Sequence, residues 1–192
     1  MTKRRLVIAG VAGLLAASLS LTACGSRSSA DPAAGAGGSA DKVVKIGLIA
    51  PLSGGLSAMG AGMRNAVDLA VDQANAAGTI PGWTIEFVAE DDQASPDAGR
   101  NAATKLTADE GIIGVVGPLN SSVGQAMQPV FESAGVALVS PANTNPTLTR
   151  GADLANPVRT YSTYFRTCTT DDVQGPFAAK YLLDEGITRV AT

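Results

Sequence analysis

The sequence predicts an α/β fold in which a parallel sheet is covered by helices on both faces. Short apolar runs of strand length alternate with longer segments whose apolar residues recur every three or four positions. The short runs are typical of strands buried on both faces, and the longer segments are typical of amphipathic helices. Strands that alternate with helices favour right-handed βαβ crossovers, which make neighbouring strands parallel.

The first strand and the first helix are marked by clear stop signals. Residues 43–50 form an apolar run that ends at Pro51 and a Ser-Gly-Gly turn. A helix is predicted next, ending at Gly78, because apolar residues recur at helical spacing: Met63, Val67, Ala70, Val71 and Ala74.

The second strand is predicted at residues 83–88 and the second helix at residues 96–109. Ser95 is in position to cap this helix. Pro96 suits the first turn, because the N–H that proline lacks would have no partner there.

The rest of the chain repeats the alternation. Strands are predicted at 112–116, 136–140 and 160–165, helices at 121–134 and 171–184, and a further strand begins at 189–192. The loop at 141–157 is long for a compact domain, which indicates either a functional role or an excursion. Because the last strand is cut short and the last helix lacks a sheet to cover, we expect the sequence to be a piece of a longer protein.

The amino terminus indicates export from the cytoplasm. Lys3, Arg4 and Arg5 precede an almost unbroken apolar run at residues 6–21. This is the pattern of a secretory signal peptide, and the run is short for a membrane-spanning helix of about 20 residues. We expect a signal peptide at residues 1–23. An Arg-Arg pair also occurs in twin-arginine export signals, but the rest of that signal is missing.

Residues 21–24, Leu-Thr-Ala-Cys, resemble the bacterial lipobox, in which the cysteine is acylated and becomes the new amino terminus. The resemblance implies a lipid on Cys24 that anchors the protein to the outer face of the cytoplasmic membrane. Ordinary cleavage near Ala23 is the alternative. Residues 24–42 are rich in Ser, Ala, Gly, Pro and Asp, which predicts a flexible linker. Acylation of Cys24 would leave Cys168 without a partner in this sequence.

Composition and motifs argue against several classes of function. The sequence has no histidine, which removes the commonest general base and metal ligand. It has no phosphate-binding P-loop, and Asn65 stands where a dinucleotide fingerprint would place its third glycine. A net charge of −3 and 4% aromatic residues give no reason to expect nucleic-acid binding.

One acidic cluster is a weak candidate for a metal site, but it lacks the ligand spacing of a calcium loop: Glu90, Asp91, Asp92 and Asp97. We therefore expect no enzymatic activity, no cofactor and no metal ion.

Two strand-to-helix loops carry a candidate binding site. Residues 117–122 follow the third strand, and residues 140–146 follow the fourth. The carboxyl ends of parallel strands meet at one edge of the sheet, where open α/β folds bind their ligands. Free N–H groups at a helix start, together with a hydroxyl group, suit a carboxylate. The alternative is that Ser121 only caps its helix and that Asn143 and Thr144 only form turns.

These loops resemble those of the branched-chain amino-acid binding proteins of bacterial importers. The resemblance extends over almost all of residues 43–192, through the stretches 45–54, 91–96, 117–122, 140–149, 165–167 and 174–181. It implies a periplasmic-binding-protein type I fold, in which two α/β lobes joined by three crossing segments close on the ligand. We expect an incomplete first lobe at residues 43–166 and the beginning of the second lobe at residues 167–192.

The resemblance also implies ligand contacts. Ser121 and Thr144 would bind the α-carboxylate through their hydroxyls and amides, and the Ala142 carbonyl would accept a hydrogen bond from the α-ammonium. Leu119 and Asn120 would line the pocket wall.

Two further residues complete the predicted ligand-binding set. Asn143 is included because it lies in the second loop. Met59 stands where the best-known relatives have an aromatic residue, which keeps the pocket apolar but leaves the side-chain preference open. The disulfide of those relatives is missing, because its two positions align with Ala94 and Asn120.

The function implied is the capture of leucine, isoleucine or valine outside the cytoplasm for the permease of an ATP-driven (ABC) importer. Two alternatives remain from the sequence. One is a sensory receptor of the same fold for an amide, urea or another small ligand, and the other is an α/β enzyme.

Overall fold

The computed structural model describes residues 42–191, which contain one five-stranded sheet and five α-helices. The strands are β1 (Lys42–Ala50), β2 (Trp83–Asp91), β3 (Ile112–Val116), β4 (Ala137–Ser140) and β5 (Tyr164–Arg166). The helices are α1 (Ser57–Ala76), α2 (Pro96–Thr107), α3 (Ser121–Ala134), α4 (Thr147–Arg150) and α5 (Asp171–Asp184). The strand order is β2-β1-β3-β4-β5 and every pairing is parallel, which confirms the predicted fold class. The predicted signal peptide, Cys24 and the linker up to residue 41 lie outside the described residues.

Several predicted boundaries differ from the structure. Strand β5 is much shorter than predicted, because it extends only where it pairs with β4, from Tyr164 to Arg166. The short helix α4 was not predicted, and residues 189–191 form no strand. Ser95 occupies the N-cap position of α2, as predicted, but its side chain makes no capping hydrogen bond. Its backbone N–H donates to the Asp92 carbonyl at 2.7 Å.

Helices cover both faces of the sheet, as the contacts of neighbouring residues of β1 show. A methyl group on Gly47 would lie 2.8 Å from Leu106 of α2. The neighbouring Ile46 points to the opposite face and borders a groove there with Val71 of α1. Because successive strand residues face opposite sides, α1 and α2 cover different faces.

The main core lies on the α2 and α3 side of the sheet. Its fully or almost fully buried members are Ile49, Ala103, Leu106, Val115, Val123, Met127, Phe131, Leu138, Leu148 and Tyr164. Helices α2 and α3 approach closely at Gly99, where an added methyl group would lie 2.4 Å from Val123. Helix α5 leaves apolar side chains in solvent, with Phe177 75% and Tyr181 57% exposed. Within residues 42–191, no helix is both long enough and apolar enough to cross a membrane.

Candidate functional site

The loops that follow β3 and β4 lie side by side at the carboxyl edge of the sheet. We call residues 117–120 the β3 loop and residues 141–146 the β4 loop. The backbone N–H of Asn145 donates to Ser121 Oγ at 3.3 Å. Nδ2 of Asn143 donates to the carbonyls of Pro118 and Leu119 at 3.1 and 3.0 Å. The structure therefore brings together the two stretches that the sequence analysis singled out.

The orientation of each peptide group in the β4 loop determines which atoms remain free. The N–H and C=O of a trans peptide point in opposite directions. The Asn143 N–H donates to Ser140 Oγ at 3.0 Å, so the Ala142 carbonyl points the other way. The Asn143 carbonyl accepts from Arg166 Nη1 at 2.8 Å, so the Thr144 N–H points away from Arg166. Among the described residues, the Ala142 carbonyl has no donor and the Thr144 N–H has no acceptor.

The start of α3 adds further free donors beside this loop. The first hydrogen bond of the helix joins the Gly124 N–H to the Asn120 carbonyl at 3.0 Å. The N–H groups of Ser121 and Ser122 precede it and have no intrahelical partner, and the positive end of the helix dipole lies there. Asn120, rather than Ser121, occupies the cap position, and its side chain makes no capping bond. The Ser121 hydroxyl is therefore not used as a helix cap.

Asn143 lies in the interior, which corrects its placement in the predicted ligand-binding set. It is 0% exposed, and its Oδ1 accepts from the Tyr164 hydroxyl at 3.0 Å. Its Nδ2 is occupied by the two β3-loop carbonyls. Every polar atom of Asn143 has a partner inside the protein. Asn143 therefore joins the two loops by hydrogen bonds and has no free polar atom that could bind a ligand.

The remaining predicted residues lie at the same sheet edge but make fewer of the hydrogen bonds that join the β3 and β4 loops. Leu119 and Asn120 are half-buried in the β3 loop. The Oδ1 of Asn120 is buried without a partner. Met59 is in the first turn of α1 and 55% exposed, and the structure does not bring it into the hydrogen-bonded group.

Gly117 lets the β3 loop pass close to β1. Its φ angle is 119°, a region that favours glycine, and an added Cβ would lie 2.0 Å from the Ile49 carbonyl oxygen.

Asp91, the last residue of β2, and the adjacent Asp92 support the turn that follows the strand. The carboxylate of Asp91 accepts hydrogen bonds from the N–H groups of Leu52 and Gln93 and from the Ser53 hydroxyl, at 2.8, 2.8 and 2.5 Å. Burial opposes ionisation, but these donors together lower the pKa of Asp91. The neighbouring Asp92 is fully buried, and this burial raises its pKa. Residues 42–191 contain no group of three side chains arranged to hold a metal ion.

The edge of the open α/β sheet presents free donors and a free acceptor in neighbouring loops, an arrangement that could hold a small polar ligand. Residues 43–192 match the periplasmic binding protein family, and the chain belongs to this family. The sheet corresponds to one lobe of a type I periplasmic binding protein, as the sequence resemblance implied. Members of this family bind solutes and are not enzymes, in agreement with the sequence prediction.

Relatives of the chain include several branched-chain amino-acid binding proteins. It is 39% identical over 140 residues to the Leu/Ile/Val-binding protein BraC3 of Rhizobium johnstonii, an alignment that covers 73% of this chain and 36% of that protein. It is 37% identical over 148 residues to the Leu/Ile/Val-binding protein homolog 2 of Brucella abortus, covering 77% and 38%.

Among solved structures, the chain is similar to the branched-chain amino acid transporter substrate binding protein LivJ from Streptococcus pneumoniae in complex with isoleucine. The TM-score is 0.65 at 33% identity, over 73% of this chain and 38% of that chain. The chain therefore spans 36–38% of the length of these relatives.

Proposed function

We propose that the chain belongs to an extracytoplasmic solute-binding lipoprotein that captures leucine, isoleucine or valine and delivers it to the permease of an ABC importer. The observation that supports the proposal is that free donors at Ser121 and Thr144 lie in neighbouring, hydrogen-bonded segments with the free carbonyl of Ala142. An α-carboxylate needs donors and an α-ammonium needs an acceptor. An α-amino acid carries both groups on one carbon atom, so it matches a surface that offers both within a few residues.

The identity of the side chain rests on the relatives and on the pocket wall. The relatives named above bind branched-chain amino acids according to their names, and Leu119 and Met59 would supply apolar contacts. We propose that residues 43–166 form the first lobe and that residues 167–192 begin a second one. Closure of the two lobes on the ligand would then exclude water, which strengthens the hydrogen bonds to its charged groups.

Calorimetry on the protein as the cell produces it tests this function. Leucine, isoleucine or valine should release heat on binding. Ser121→Ala and Thr144→Val should each weaken binding by about tenfold or more, because hydrogen bonds to charged groups contribute about 1.5–3 kcal/mol. Ser122→Ala is the matched control, since this exposed serine lies in the same helical turn and should leave affinity unchanged.

Three outcomes would contradict the proposal. Wild-type protein that binds urea or a short amide, and no branched-chain amino acid, would favour the amide-sensing alternative. Equal effects of Ser121→Ala and Ser122→Ala would show that the Ser121 hydroxyl is not part of the site. Binding of 4-methylpentanoate, which lacks the ammonium group, as tightly as leucine would remove the role of the Ala142 carbonyl.

The lipid anchor has a separate test. We expect mass spectrometry of the membrane fraction to find an acylated amino-terminal cysteine derived from Cys24. Cys24→Ala should abolish the acylation. An unmodified amino-terminal cysteine in the wild type would refute the anchor without affecting the binding proposal.

A further inference from the structure

Arg166, at the end of β5, reaches back into the β4 loop. Its Nη1 donates to the carbonyls of Asn143 and Asn145, both at 2.8 Å, and its Nη2 donates to Thr149 Oγ1 at 2.5 Å. The guanidinium therefore holds the backbone on both sides of Thr144. A planar guanidinium with several fixed N–H groups can make such contacts at the same time, which a lysine ammonium on its flexible stem does less well.

The segment after β5 reinforces this grip on the β4 loop. The Cys168 thiol donates to the Asn143 carbonyl at 3.3 Å, and the Asp171 N–H donates to the Thr144 carbonyl at 2.9 Å. The carbonyls of residues 143, 144 and 145 all bond to the segment 166–171. Because each peptide group is planar and trans, the N–H groups of Thr144 and Asn145 face the opposite side, where the Asn145 N–H meets Ser121.

We propose that Arg166 is a positioning residue for the anion-binding surface. By holding the Asn143 carbonyl, its guanidinium aims the Thr144 N–H at the bound carboxylate. Its bond to the Asn145 carbonyl, which precedes Pro146 and shares its peptide plane with no N–H, anchors the other side of the loop. Without this cation, the Asn143 carbonyl would turn to find another donor, and the Thr144 N–H on the same peptide plane would turn with it. The inference rests on the proposed function, and Arg166 acts through the loop rather than by touching the ligand.

Arg159 provides a matched control for substitutions of Arg166. It also donates to three backbone carbonyls, those of Tyr161, Ser162 and Tyr164, but none of them belongs to the β4 loop. In the protein as the cell produces it, Arg166→Met should weaken leucine binding by about tenfold or more, the scale of a hydrogen bond to a charged group. It should weaken binding of leucinamide, which has no carboxylate, much less. Arg159→Met should leave the preference of leucine over leucinamide unchanged.

A conservative pair covers the case in which the methionine variant does not fold. Arg166→Lys keeps the charge but loses the planar guanidinium with its several fixed N–H groups. It should therefore retain only part of the preference for leucine over leucinamide, while Arg159→Lys should retain all of it. A general loss of structure would weaken binding of leucine and leucinamide equally. An unchanged leucine-to-leucinamide ratio in both Arg166 variants would overturn the inference while leaving the proposed function intact.

Hydrogen exchange gives a readout that needs no ligand. The amides of Asn143 and Asn145 should exchange faster in the Arg166 variants than in the Arg159 variants, because the loop loses its anchor. If wild-type protein binds no branched-chain amino acid, the proposed function fails, and this measurement still decides whether Arg166 orders the loop. Exchange rates that match those of the Arg159 variants would overturn it.

Discussion

Replacing Gly124 by alanine tests whether Asn143 holds the two loops together. A Cβ at this position of α3 would lie 2.4 Å from Asn143 Oδ1 and 3.3 Å from its Cγ. The Asn143 side chain cannot easily move away, because it accepts from Tyr164 and donates to two carbonyls of the β3 loop. Overpacking costs about 1–3 kcal/mol, and a buried acceptor that loses its partner costs about 1–3 kcal/mol. Alanine regains about 1 kcal/mol of helix propensity, so we expect a net loss of about 1–5 kcal/mol.

Gly62→Ala is the matched control. Gly62 lies inside α1, and no heavy atom comes within 4 Å of an added Cβ. This variant should therefore be stabilised by up to about 1 kcal/mol. Urea unfolding followed by circular dichroism measures both variants, and leucine titration reports whether the loops have shifted. If Gly124→Ala is as stable as Gly62→Ala and binds leucine like the wild type, the role assigned to Asn143 is wrong.

Three further predictions concern titratable side chains. Burial raises the pKa of Tyr164 to about 12, so an absorbance titration should find this phenol ionising near that pH. Its contribution to stability should fade as the pH rises from 10 to 12. Tyr164→Phe should cost about 1–3 kcal/mol, because Asn143 Oδ1 loses its donor. Asp92 has a raised pKa and a buried Oδ2 without a partner. Asp92→Asn should therefore unfold at a higher urea concentration than the wild type at neutral pH, and the difference should shrink as acid protonates Asp92. Hydrogen bonds from the Thr163 N–H and from two hydroxyls lower the pKa of Glu132. The contribution of Glu132 to stability is complete above the usual carboxyl pKa and is lost as the pH falls through the lowered pKa. In Glu132→Gln, the free energy of unfolding should therefore fall less steeply with decreasing pH than in the wild type.

The sequence was sufficient for the fold and for bringing the two candidate loops together, because both depend on local patterns. Strand and helix periodicity predicted the parallel sheet, and the order of strands and loops placed Ser121 and Thr144 at one edge. The role of Asn143 was not predictable in this way. Whether an asparagine in a loop faces solvent or the interior depends on a partner such as Tyr164, which belongs to another strand.

The proposed role of Arg166 could not be predicted from the sequence for a related reason. Every residue offers a backbone carbonyl, so no pattern of side chains shows which carbonyls an arginine will bind. Strand β5 was overestimated because apolar alternation continues beyond the few residues that pair with β4. Where the neighbours of a residue come from distant parts of the chain, the sequence predicts the element but not its contacts.

The fixed directions of the Ala142 carbonyl and the Thr144 N–H bear on the handedness of the molecule that the proposed site would accept. An amino acid whose ammonium is held by the Ala142 carbonyl and whose carboxylate is held by the Thr144 N–H has two of the four substituents of its α-carbon fixed. The direction of its side chain then depends only on the configuration at the α-carbon. The L and D forms would send that side chain to different places, and only one of them would meet the apolar wall that Leu119 is proposed to form. Stereoselectivity would thus follow from the orientation of a few peptide groups in the β4 loop, with no side chain needed to select the L form.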